Sequence, residues 1–83
     1  MKPFFLEILT LEHPIFSGEV VSLTAPGVFG DFGILAGHAP FVSVLKKGRL
    51  KVNPLDGKEV SIPLNGGILR VEKNRVVVLS ETE

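Results

Sequence analysis

Two histidines and a scatter of hydroxyl groups are the residues of this sequence best suited to acid–base or nucleophilic work, and none stands in a spacing that such work needs. No Asp or Glu accompanies His13 or His38 in the pattern of a zinc or calcium loop, so a metal site is not expected. Ser17, Ser22, Ser43, Ser61 and Ser80 each lack the sharp strand-to-helix turn that exposes a nucleophilic serine. Phosphate binding fares no better. Gly27, Gly30 and Gly33 do not form a Gly-x-Gly-x-x-Gly turn, there is no Gly-x-x-x-x-Gly-Lys-Ser/Thr loop, and no helix N-terminus follows to receive an anion. Neither catalysis, a cofactor nor direct nucleotide binding is expected.

Contact with other proteins suits the residue types better. Phe29 and Phe32 flank Gly30-Asp31, and two exposed rings on a loop would make an apolar contact patch. From Gly30 the run GDFGILAGHAP interrupts an apolar segment with Gly30, Gly33 and Gly37 and closes it with Pro40, which biases Ala39 to an extended conformation. A tightly shaped surface loop is expected over 30–40, with His38 as one of its hydrogen-bonding residues. Lys46, Lys47, Arg49 and Lys51 read as a solvated strand face balanced by Glu7, Glu59 and Glu72. Net charge is zero, and the six phenylalanines come without Tyr or Trp, a poor platform for stacking bases. Phe4, Phe5, Phe16 and Phe41 are expected in the core or at its edge. Proteins, not nucleic acids, are the expected partners.

The elements that must position these residues are strands. Six prolines spread along 83 residues leave no window in which an amphipathic helix would hold. Between them lie short β-branched segments over 4–11, 19–25, 41–46, 49–53, 58–64, 68–72 and 75–79, with an irregular pair over 27–35. Arg49-Leu50-Lys51-Val52 and Glu59-Val60-Ser61-Ile62-Pro63-Leu64 alternate apolar with polar, so one face is core and the other is wet. In the first strand Glu7 turns Leu6 and Ile8 inward and leaves Phe5 and Leu9 as an outer apolar pair. Pro54-Leu55-Asp56-Gly57, Lys47-Gly48, Asn65-Gly66-Gly67 and Lys73-Asn74 read as reversals. One domain over 1–83 follows, a β-sandwich or flattened barrel with mostly antiparallel neighbours. The absence of cysteine fits a reducing compartment. No stretch approaches the roughly 20 apolar residues of a membrane helix, so attachment to a membrane is expected only through another protein.

The 30–40 run also resembles the epsilon subunit of F-type ATP synthases, which carries a Gly-acidic-apolar-Gly-Ile-x-x-Gly-His-Ala-Pro loop; Asp31, Gly33, Ile34, Gly37, His38, Ala39 and Pro40 stand at its positions. The likeness continues in Phe16-Ser17-Gly18 before 20–25, in Leu45-Lys46-x-Gly48, in Asn65-Gly66-Gly67-Ile68-Leu69-x-Val71 and in Asn74-x-Val76-x-Val78-Leu79. It implies an all-β fold, a flattened ten-stranded β-sandwich, and a non-catalytic rotor subunit of the central stalk. Such a subunit couples the ion-driven membrane ring to the gamma subunit for ATP synthesis, at the cytoplasmic face of a bacterial inner membrane. Asp31 matches the acidic position that faces the ring, with Phe29 and Phe32 beside it; Thr10 and His38 match positions that face gamma. Ala36 replaces the proline common before Gly-His-Ala-Pro. The family's two-helix hairpin does not follow in the sequence, which stops at Glu83, so its inhibitory role and nucleotide site are not carried over.

A lipoyl or biotinyl carrier domain is the rival, since it is also a β-sandwich of this length and would offer Lys46 or Lys47 on a hairpin for modification. Leu45 and Gly48, which flank the pair, are not the acidic residue, methionine or alanine usual there.

Overall fold

Alternating side chains decide the architecture, because each strand has one face that must leave water. The computed structural model describes residues 2–81, and among them the ordered elements are six strands with no helix: β1 (Phe4–Leu9), β2 (Pro14–Gly27), β3 (Gly30–Ile34), β4 (Phe41–Pro54), β5 (Val60–Glu72) and β6 (Arg75–Ser80). Their order is β1-β6-β5-β4-β2-β3, and β1 also pairs with β2, so five strands close into a flattened barrel. β6 runs parallel to β1, and the other pairings are antiparallel. Closure leaves few free edges. β3 pairs only with β2 among the described residues, beside the stretch of β2 that β1 does not reach.

The inward residues follow from register. Ser43, Leu69, Val78 and Ile8 lie opposite one another across β4, β5, β6 and β1, as do Phe41, Val71, Val76 and Leu6 one step along. Leu6, Ile8, Leu69 and Val78 are fully buried, as the alternation around Glu7 predicts for the first two. They join Phe4, Val20, Leu23, Ile34, Leu50 and Val52 in one apolar core. Each such side chain contributes roughly 1.5–3 kcal/mol by leaving water.

The strand count corrects the expectation: six strands among the described residues where the resemblance implied ten, and two presumed reversals prove to be bends, which merge four of the expected segments into two. Lys47-Gly48 lies inside β4, which runs on from Phe41 to Pro54. Gly48 admits Pro26 instead of turning the chain; a Cβ there would sit 3.0 Å from the Pro26 Cβ. Asn65-Gly66-Gly67 lies inside β5, where Gly66 and Gly67 take φ of +91° and +153° and bend the strand between its two neighbours. Long strands that bend round a barrel therefore read as pairs of short ones. The other two reversals hold: residues 55–59, following Pro54 at the end of β4, link β4 to β5, and Lys73-Asn74, both at positive φ, link β5 to β6.

Candidate functional site

The stretch 30–40 is half strand and half connection, which corrects the expectation of one continuous loop. Gly30–Ile34 forms β3, and only 35–40 is irregular. The exposed tip is Val28-Phe29, between β2 and β3, and Phe29 is fully exposed. Asp31 is not at a loop tip. It lies near the start of β3, opposite Pro26, on a short edge strand where a charge also discourages pairing with another chain.

Phe32 departs further from expectation. Its side chain is half-buried and packs against the core, with its ring edge-on to Phe41 at 5.3 Å between centroids. Opposite it in the ladder is Ala25, a small buried partner that leaves room for a ring folded inward. Phe29 is thus the one fully exposed ring of the expected pair. A shallow concavity bounded by Phe29, Asp31, Phe32, Phe41, Val42 and Val44 separates the tip from β4, and the Val28 N–H donates to the Val44 carbonyl at 3.1 Å.

Thr10 and His38 lie in different connections. Thr10 follows β1, where its hydroxyl donates to the His13 carbonyl at 2.8 Å and accepts from the His13 N–H at 3.1 Å, closing the turn into β2. His38 lies in the 35–40 connection, its Nδ1–H donating to the Ala39 carbonyl at 2.8 Å and its ring 5.4 Å from that of Phe41. Both side chains are half-buried and turned to local bonds.

The largest feature missed in the sequence is an outer apolar row. Register sets Val44, Ile68, Leu79 and Leu9 side by side across β4, β5, β6 and β1. Val44, Ile68 and Leu79 are 54%, 47% and 53% exposed, which for three directly neighbouring aliphatic side chains makes a patch, not a scatter. Val42 and Val77 extend it on one side, and Leu11, almost wholly exposed, lies beyond Leu9. Charged pairs border it: Arg70 with Glu72 at 3.4 Å and Arg75 with Glu7 at 2.9 Å. Glu7 and Glu72, expected to balance the basic face of β4, pair with these arginines. Of the predicted outer pair, Leu9 joins the row while the Arg75 guanidinium lies 4.9 Å over the Phe5 ring. The signal was present in Val76-Val77-Val78-Leu79, which is apolar at every position and so must show an apolar residue on each face.

No cluster of three metal-binding side chains occurs among the described residues. Lys46 and Lys47 lie within β4, not at a hairpin tip, which removes the presentation that a carrier-domain lysine requires.

Comparison with known proteins places this geometry. The family model described as the ATP synthase delta/epsilon chain β-sandwich domain matches residues 3–83. The ATP synthase epsilon chain of Chlorobium limicola is 41% identical over 80 residues, covering 96% of this chain and 91% of that one. The epsilon chain of Dichelobacter nodosus is 34% identical over 79 residues, and there the match spans only 55% of the relative's length. Among solved structures, a chain of the Euglena gracilis mitochondrial ATP synthase, determined with OSCP, F1 and the c-ring, superposes with a TM-score of 0.88 at 26% identity, covering 94% of this chain and half of that one.

Proposed function

This chain belongs to the ATP synthase delta/epsilon family of β-sandwich domains, and from that premise we propose that it is a non-catalytic rotor element that couples the membrane ring to the gamma subunit. The domain is taken to act as one body over its described residues, 2–81. Its work is mechanical: torque passes between partners only if the piece joining them grips both and does not deform. A barrel closed by β1 on β6 and on β2 suits that demand, because hydrogen bonds run continuously around its wall.

The observation that carries the proposal is the apolar row of Val44, Ile68, Leu79 and Leu9, edged by charged pairs and adjoining the Phe29 tip. A protein interface has this composition, with aliphatic residues at its centre and charges at its rim. The row is assigned to the gamma subunit, with Thr10 beside Leu9 at its border; His38, in the 35–40 connection that is held at the β5–β6 turn, is assigned to gamma as a separate contact. Phe29 and Asp31, with Phe32 supporting them from beneath, are assigned to the polar loops of the ring, where a carboxylate accepts charge-assisted hydrogen bonds. Binding within that complex would hold the chain at the cytoplasmic face of a bacterial inner membrane, where ion flow drives ATP synthesis.

The isolated chain should bind the cognate gamma subunit in titration calorimetry, burying roughly 1,200 Å² or more. No detectable complex at tens of micromolar would overturn the coupling role. Asp31→Ala and Phe29→Ala test the ring contact separately. Both side chains are exposed, so each variant should melt within about 0.5 kcal/mol of the parent. In reconstituted membranes Asp31→Ala should cost roughly 1–3 kcal/mol of attachment, read as easier release of the catalytic head or poorer coupling of hydrolysis to ion pumping. Equal attachment for Asp31→Ala and loss for Phe29→Ala would transfer the ring contact to the aromatic tip alone.

A further inference from the structure

We propose that Asn74 is a positioning residue whose side chain clasps the 35–40 connection to the start of β1 and thereby fixes the segment that presents His38. The functional side of this inference rests on the reading above, in which that segment faces a partner. Asn74 occupies the β5–β6 turn with φ of +62°, after Lys73 at +49°, and asparagine is among the few residues that accept such a backbone. The turn explains why an asparagine is tolerated. It does not explain what the carboxamide does.

That group is used at both ends. Its Oδ1 accepts the Gly37 N–H at 3.0 Å, and its Nδ2 donates to the Pro3 carbonyl at 2.9 Å. The Asn74 backbone carbonyl meanwhile accepts the Phe5 N–H at 3.1 Å. One residue thus ties together the entry to β1, the β5–β6 turn and the connection between β3 and β4. Within the connection itself, the His38 N–H donates to the Leu35 carbonyl and the His38 ring bonds Ala39, which shapes the segment without anchoring it to the barrel. Ala36 packs against the core, and the hydrogen-bonded anchor comes from Asn74. Beyond it, the His38 ring rests against Phe41 and Phe41 against Phe32, so the connection's position also bears on the aromatic pair beneath the exposed tip.

Amide hydrogen exchange, followed residue by residue in the whole chain, tests the clasp with two variants. Asn74→Gly keeps the left-handed backbone and removes the carboxamide. Gly37 should then exchange about five- to tenfold faster, while Val76 and Val78 in β6 stay as in the parent. Asn74→Asp keeps an acceptor for Gly37 and loses the donor to Pro3, so Gly37 should stay within about twofold of the parent. Unchanged Gly37 exchange in Asn74→Gly overturns the clasp, as does equal acceleration at Gly37 and Val78, which would mean general loosening. The same variants are titrated with gamma subunit: Asn74→Gly should bind several-fold more weakly and Asn74→Asp close to normally. Full affinity in Asn74→Gly despite a freed Gly37 overturns the positioning role. Failure of the parent chain to bind gamma would overturn the partner assignment instead, and Gly37 exchange would still decide whether the clasp exists.

Discussion

Gly67→Ala should remove a large part of the stability of this domain, on the order of 3–5 kcal/mol, although it adds a single methyl group. Two costs combine. Gly67 has φ of +153°, a conformation that residues with a side chain rarely adopt and that costs roughly 1–3 kcal/mol. The added Cβ would also run into the Leu79 carbonyl oxygen of β6, which is backbone and cannot rotate away. Relief requires β5 and β6 to part where Gly67 opposes Ser80, at the expense of ladder hydrogen bonds worth about 1 kcal/mol each. Folded domains have about 5–15 kcal/mol in hand, so the melting temperature should fall by an amount on the order of 20 °C. Gly57→Ala separates the two costs. Gly57 has φ of +144° in the turn before β5, but its Cβ would meet open space, so only the backbone strain of roughly 1–3 kcal/mol applies. Urea denaturation of both variants measures the difference; a Gly67→Ala cost no larger than that of Gly57→Ala would mean that the bend relaxes without opening the barrel.

That comparison also shows where the sequence was legible. Alternation about Glu7 and through 49–52 identified Leu6, Ile8, Leu50 and Val52 as core, because a polar residue on alternate positions leaves no choice of face. Pro54-Leu55-Asp56-Gly57 and Lys73-Asn74 located two reversals, because each demands a backbone that only turns supply. Gly48 and Gly66-Gly67 misled for the same physical reason. Glycine records that a Cβ is excluded, but not whether a turn, a bend or a neighbouring backbone excludes it. Phe32 and Phe29 differ only in what lies opposite them, Ala25 in one case and solvent in the other, and pairing across a sheet is not written in local sequence. The outer row was hidden by the opposite problem. In Val76-Val77-Val78-Leu79 both faces are apolar, so period two cannot say which one the core takes. Only the register with β5 and β1 brings Ile68, Leu79 and Leu9 together.

Placing charge at the centre of that row should abolish gamma binding while leaving the barrel intact. Ile68 and Leu79 are cross-strand partners with half-exposed side chains, so Ile68→Lys with Leu79→Glu sets opposite charges side by side. Opposite charges in directly paired positions favour the sheet by a few tenths of a kcal/mol or more, which offsets the lower strand propensity of both residues. The melting temperature should therefore stay within a few degrees of the parent. In a complex the same two charges would have to leave water against an apolar partner surface. An ion pair desolvated in that way does not recover its hydration, and a cost of about 1–4 kcal/mol, added to the lost apolar contact of Ile68 and Leu79, would weaken the complex by roughly 100-fold or more. Phe29→Ala should keep full gamma affinity, since its ring lies at the tip and not in the row; Lys51→Ala, in the stretch of β4 paired with Thr24 and Ser61, should do the same. Undiminished gamma binding by the double variant would show that the row is not the docking face. The partner contact would then have to be sought at the 35–40 connection and the aromatic rings of Phe32 and Phe41 behind it.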